Sequence, residues 1–179
     1  MKRLFILSVL FTSTVFGQKY ELGKVTVEEL QEKAFAKDTS AVAAILFNIG
    51  DLRIDYNQST GFTINTIVKT KIKIYKKEGY DWANKAVRYY IGGNSKEKVS
   101  FSNAATYNLV DGKVVKTKLK SDGEFDEKIN KFWSRKKITL PNVNVGTIIE
   151  FEYSLTSEDF SKLENWNFQE KIPDFQLSD

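Results

Sequence analysis

Apolar and polar residues alternate with a period of two along most of this chain, and the clearest run is Phe62 to Ile74. Phe62, Ile64, Thr66, Val68, Thr70, Ile72 and Ile74 share one parity, while Asn65, Lys69, Lys71 and Lys73 take the other. This is the pattern of a half-buried antiparallel strand with a wet lysine face. On that reading Ile72→Asp puts an unpaired charge in the core, whereas Lys71→Asp costs no more than about 0.5 kcal/mol. Lys77-Glu78-Gly79 reads as a turn that returns the chain beside this strand as far as Ile91.

A second hairpin is signalled by Val99, Phe101, Ala105, Tyr107 and Leu109, which lead to Asp111-Gly112, a dipeptide suited to the positive φ angles of a type I′ turn. Val115, Thr117 and Leu119 follow it. Phe132 to Leu140 predicts another strand and Pro141 to Gly146 a turn. In the next strand Ile149, Phe151, Tyr153 and Leu155 alternate with Glu150, Glu152 and Ser154, and Trp166, Phe168 and Ile172 mark the last.

Upstream, Thr26-Val27-Glu28-Glu29 has capping-box spacing and predicts a short helix over Val27 to Ala34. Ala41 to Phe47 is apolar on both parities, as in a strand buried on both faces. Asn48-Ile49-Gly50-Asp51 reads as a turn before Leu52 to Tyr56 resumes alternation. About nine strands with one helix in front predict a mainly β fold, an antiparallel β-sandwich, rather than βαβ units.

The first residues carry a different pattern. Lys2 and Arg3 precede an apolar stretch, Leu4 to Phe16, that is too short to span a bilayer, and Val15-Phe16-Gly17 offers small residues to a signal peptidase. The expectation is a signal peptide over 1–17, cleavage before Gln18, and an exported chain, periplasmic or extracellular, without a transmembrane span. Residues 18–179 then form a single sandwich domain, large enough to bury a core without covalent staples.

Composition narrows the chemistry. The chain has no cysteine and no histidine, which removes disulfides, the commonest general base and the commonest transition-metal ligands. The net charge of +4 suits solubility and gives no nucleic-acid signature. Serine with a lysine base remains, at Ser134-Arg135-Lys136-Lys137 or Ser95-Lys96, but neither lies in a nucleophile elbow, so no catalytic residue is assigned. Asp122, Glu124, Asp126 and Glu127 have alternating carboxylates, yet Glu127 stands where a calcium loop needs glycine and Trp133 where it needs a bidentate glutamate. A solvated acidic loop is expected there, with no metal and no cofactor. Asn57-Gln58-Ser59 matches a glycosylation acceptor and is given no role. Lys69, Lys71 and Lys73 together with Lys116, Lys118 and Lys120 could form a basic strip, although strand lysines serve first to keep edges wet. Trp82, Tyr89, Tyr90, Trp133 and Trp166 are the candidate ligand contacts, a stacking platform for sugar or peptide, with Tyr89 and Tyr90 pointing to opposite faces.

One ordered set of segments carries a resemblance: the capped helix, the Ala41-Val42 strand, the long strand into Lys77-Glu78-Gly79, Asn108-Leu109-Val110-Asp111-Gly112-Lys113, Leu140-Pro141-Asn142-Val143, Gly146 to Tyr153, and Trp166 to Pro173. It resembles the N-terminal half of exported Bacteroidetes proteins that carry domain of unknown function 3857 ahead of a transglutaminase-like domain. The resemblance implies an immunoglobulin-like β-sandwich acting as a non-catalytic accessory domain, its partner a transglutaminase-like domain or another protein. The family's cysteine, histidine and aspartate would lie downstream, so the sequence reads as lacking its C-terminal continuation. Two other readings stay open: a glycan- or peptide-binding module of the cell envelope, and a truncated fragment without independent function.

Overall fold

The computed structural model describes residues 21–59, 61–93 and 97–158. The expected signal peptide, Ser95-Lys96 and the strand expected around Trp166 lie outside the described residues. The fold is mainly β, two antiparallel sheets stacked as an open sandwich with one short helix.

The helix α1 (Val27–Gln31) starts at Thr26, whose hydroxyl accepts from Glu29 N–H while the Glu29 carboxylate accepts from Thr26 N–H. Among the described residues eight strands follow: β1 (Ala43–Asn57), β2 (Gly61–Ile74), β3 (Asn84–Tyr90), β4 (Lys98–Val110), β5 (Lys113–Lys118), β6 (Glu124–Lys128), β7 (Trp133–Thr139) and β8 (Ile148–Ser157). The larger sheet has the order β1-β2-β8-β4-β5 and the smaller β3-β7-β6. The β4–β5 turn is as expected, with Asp111 at φ 50° and Gly112 at φ 74°.

Two expected turns are absent. Asn48 to Asp51 continues β1: Gly50 pairs with Val68 and Asp51 with Ile67, and the Thr70 hydroxyl donates to Asn48 Oδ1 at 3.0 Å. Turn-forming residues are tolerated here because β2 holds their backbone throughout. Ala41 to Phe47 is apolar on both parities because both faces are covered here: Ala43 and Ile45 pack into the core between the sheets, while Leu46 packs against the cluster under α1. A register shift lies between Ile45 and Phe47. Lys77-Glu78-Gly79 likewise makes no hairpin. A 3-10 turn over Lys77–Ala83 carries the chain to the smaller sheet, where β3 pairs with β7 instead of β2. Gly79 is required at the crossing, because a Cβ there would lie 2.5 Å from the Val42 carbonyl oxygen.

The core between the sheets contains Ile72, Ile74, Ile149 and Phe151 from the large sheet and Ile138 from the small one, with Val87, Val99 and Leu155 at one end. A second apolar cluster lies on the opposite face of the large sheet, where Leu30 of α1 packs on Ala105, Tyr107 and Ile148. That face was expected to be wet. Instead Lys71, Lys73 and Glu150 are buried on it, because α1 covers them.

Candidate functional site

Arg88 and Tyr90 of β3 share one parity, while Val87 and Tyr89 share the other. Since Val87 packs on Val99 and Leu155 with Tyr89 beside it, Arg88 and Tyr90 lie on the outer face of the small sheet. Tyr90 pairs with Trp133 in register, and their rings meet edge-on at 5.2 Å. The Arg88 guanidinium sits 4.0 Å from the Trp133 ring centre, and Phe132 stacks parallel to Tyr90 at 6.3 Å. Aromatic rings with an arginine across one face supply dispersion, a cation–π contact and directional donors together.

Of the five aromatics singled out from the sequence, the structure therefore joins Tyr90 and Trp133. Tyr89 points inward and its hydroxyl donates to Asp126 Oδ1 at 2.8 Å. Burial first, then Asp126, raises that phenol above its ordinary pKa. Trp82 packs against the main core from the 3-10 turn, and Trp166 lies outside the described residues. Arg88 and Phe132 were not singled out; the register Tyr90↔Trp133 is what gathers them, and it cannot be read from either segment alone.

The same sheet overturns the reading of residues 122–127 as a solvated acidic loop. Glu124 to Lys128 form strand β6, and its carboxylates meet the cations of β7. Lys136 lies 3.4 Å from Glu124 and 3.1 Å from Asp126. Glu127 is held between Arg135, at 2.6 Å, and Lys137. Hydrogen bonds from those two cations bring its pKa down to about 2. Among the described residues no group of three or more acidic, His or Cys side chains is arranged to hold a metal ion.

The two lysine rows do not merge. β2 and β5 are separated by β8 and β4, so Lys69, Lys71 and Lys73 are far in sheet order from Lys116, Lys118 and Lys120. The β5 row lines an open cleft of about 320 Å³ with Ser102, Asn103 and Glu124. In the β2 row Lys71 Nζ donates to Glu29 Oε1 at 2.7 Å and to Lys24 O at 2.9 Å, with Glu150 at 3.9 Å. Lys73 Nζ donates to Leu30 O at 2.8 Å and Gly146 O at 2.6 Å. Burial lowers its pKa to about 8, against the opposing pull of Glu32 and Glu29. Glu150 accepts from Gly23 N–H at 2.6 Å through Oε2, while its Oε1 and the Tyr107 hydroxyl are both buried without a hydrogen bond. Every carbonyl and carboxylate that the lysines contact belongs to the N-terminal segment, the 146 turn or β8, so this cluster fastens those pieces to β2. Ser134, the remaining candidate nucleophile, is buried in β7 opposite Tyr89; Lys136, two residues on, shares its face but is ion-paired with Glu124 and Asp126.

Residues 63–177 match the family described as a domain of unknown function with solved structure, DUF3857. The chain belongs to the DUF3857 family. The match begins within β2, so α1 and β1 precede it, while the Tyr90–Trp133 face lies inside the DUF3857 span. No curated protein matches the chain. A crystal structure described as that of a "putative protease" from Parabacteroides distasonis is similar at 7% identity with a TM-score of 0.48, over 65% of this chain. The chain spans 23% of the length of that protein. In the DUF3857 chain no helix of the described residues is long and apolar enough to cross a membrane.

Proposed function

We propose that this DUF3857 chain is an exported, non-catalytic interaction module that docks a protein partner, a transglutaminase-like domain in longer relatives, through the outer face of its small sheet. The observation that carries the proposal is the group Arg88, Tyr90, Phe132 and Trp133, gathered by one strand pairing on the face turned away from the core. Tryptophan, tyrosine and arginine are the residue types that dominate binding energy at protein interfaces. The absence of histidine and cysteine from the whole sequence supports a non-catalytic role, because the commonest nucleophile–base pairs cannot be assembled.

Calorimetric titration of the purified chain with a transglutaminase-like domain from a longer family member tests this. Saturable binding weakened at least about tenfold by Trp133→Ala, a typical cost for a central anchor, is the expected result. Absence of binding, or binding indifferent to Trp133→Ala and Arg88→Ala, overturns it. A second reading, glycan or extended-peptide binding, is favoured by the cation placed over the indole, since flat rings with adjacent donors suit sugar faces. Glycan-array binding lost in Trp133→Ala would select that reading.

A further inference from the structure

The large sheet ends in two edges of opposite character. β5, at one edge, is six residues long and carries Lys113, Lys116 and Lys118, the charged blunting that keeps edges apart. The small sheet's edges are guarded too: β6 has five residues, of which Glu124, Asp126, Glu127 and Lys128 are charged, and β3 carries Lys85 and Arg88. β1, the other edge of the large sheet among the described strands, has 15 residues with no lysine and no proline. Its bulge lies at the Ile45 end, so Gly50 to Asn57 pairs with β2 without interruption. Leu52, Ile54 and Tyr56 share one parity there and are 50%, 58% and 64% exposed. Asp51, Arg53 and Asp55 occupy the other parity.

This pattern is self-complementary in one register. If a second β1 runs antiparallel with Ile54 opposite Ile54, then Arg53 of each copy faces Asp55 of the other, and Leu52 of each faces Tyr56 of the other. Centring on Arg53 instead sets that cation against itself, and centring on Leu52 places Tyr56 opposite Asn48 and Ile54 opposite Gly50. Only the Ile54-centred alignment pairs both charges and all three apolar side chains. Directly opposed residues of an antiparallel pair share a face, so the two apolar strips merge on one side of a sheet continuous through both copies. Such a contact is isologous and closes on itself as a two-fold dimer.

We propose that the chain dimerises by antiparallel pairing of β1 with β1 of a second copy, with Ile54 on the two-fold axis. At present Arg53 contacts Asp51 two residues away on its own strand at 2.7 Å, and Asp55 accepts from Asn65 Nδ2 at 2.7 Å. Both contacts are exposed, so exchanging the first for Asp55 of the second copy loses little.

Sedimentation equilibrium on the full chain tests the proposal. The expected result is a dimer, with Arg53→Asp and Asp55→Arg each raising its dissociation constant at least about tenfold, since like charges opposed across strands repel. The double variant Arg53→Asp/Asp55→Arg restores the dimer, because the exchanged charges again face each other. A second readout does not depend on charge. The protein has no cysteine, so Ile54→Cys alone should form an intermolecular disulfide on mild oxidation, opposed Cα atoms in such pairs lying within bonding range. Leu52→Cys, opposite Tyr56, should not. A monomer at every concentration overturns the proposal, as does a dimer indifferent to both single charge reversals, one not restored by the double variant, or the reverse order of crosslinking. A monomer that becomes a dimer on removal of residues 159–179 also overturns it, by assigning the edge to the chain's own C-terminal segment.

Discussion

Lys71 and Lys73 sit on the face of β2 that α1 covers, and their different partners set different consequences for substitution. The side chain of Lys71 is 5% exposed and joins Glu29 to the carboxylate of Glu150. Reversing its charge places a carboxylate beside two others in a buried setting, so Lys71→Asp is expected to cost roughly 3–5 kcal/mol, the range for breaking a buried pair. That is as severe as Ile72→Asp on the opposite face, and matched melting temperatures for the two variants would confirm that both faces of β2 are interior. Parity alone had assigned the lysines to solvent. Lysine reads as exposed in any single-sequence pattern, and nothing in residues 69–73 announces that a five-residue helix more than 40 positions upstream lies across them.

Lys73 predicts a pH dependence. Its folded pKa of about 8 lies below the ordinary 10.5, so between those values the unfolded chain holds a proton that the folded one has released. Stability therefore rises with pH in that window and is lowest below it, where the buried ammonium carries its full desolvation cost. Tyr75 and Tyr107, both raised by burial, act in the opposite sense once unfolded phenols ionise above 10, which leaves pH 8–10 to Lys73. Denaturant titrations across pH 8–10 should show a gain on the order of 2 kcal/mol. Lys73→Met should abolish the slope.

At the scale of elements, strands whose two faces differ were legible and strands whose context overrides local chemistry were not. β8 and the β4–β5 hairpin were readable because alternation and turn agree. Asp111 and Gly112 both adopt positive φ, and a Cβ at Gly112 would meet open space. Gly112→Val is therefore expected to cost about 1–2 kcal/mol through backbone strain alone. Asp111→Gly should be neutral or mildly stabilising, and thermal melts of the pair separate strain from side-chain loss. The 48–51 segment of β1 was hidden because its asparagine, glycine and aspartate imitate a turn. β6 was hidden because four charges in five residues imitate a loop, although cross-strand pairing with Lys136, Arg135 and Lys137 satisfies them. The candidate face was half legible for a related reason. Tyr90 and Trp133 are visible as residue types, but only the β3–β7 pairing, more than 40 residues apart in sequence, brings them together.

For the molecule as a whole, the sandwich core and the α1 layer are separable in a way that links the scales. Among the described residues, the core cluster between the sheets, with Ile72, Ile149, Phe151 and Ile138 in it, includes none before Ala43. The opposite face depends on the N-terminal segment for Leu30, for the Glu29 carboxylate and for two of the carbonyls that lysines occupy. Removing residues 1–32 should therefore leave the two sheets assembled while exposing Ile148, Ala105 and Tyr107 to water. The loss is expected to be on the order of 3 kcal/mol, comparable with removing one or two large buried side chains. The same truncation returns Lys71, Lys73 and Glu150 to solvent, where charged strand residues are at home. Far-UV circular dichroism should retain its β signature, and the rise in stability between pH 8 and 10 should disappear, because Lys73 then titrates alike in both states. A truncated chain that unfolds outright would make α1 part of the sandwich core. One that keeps the pH slope would show that Lys73 is desolvated by the sheet itself.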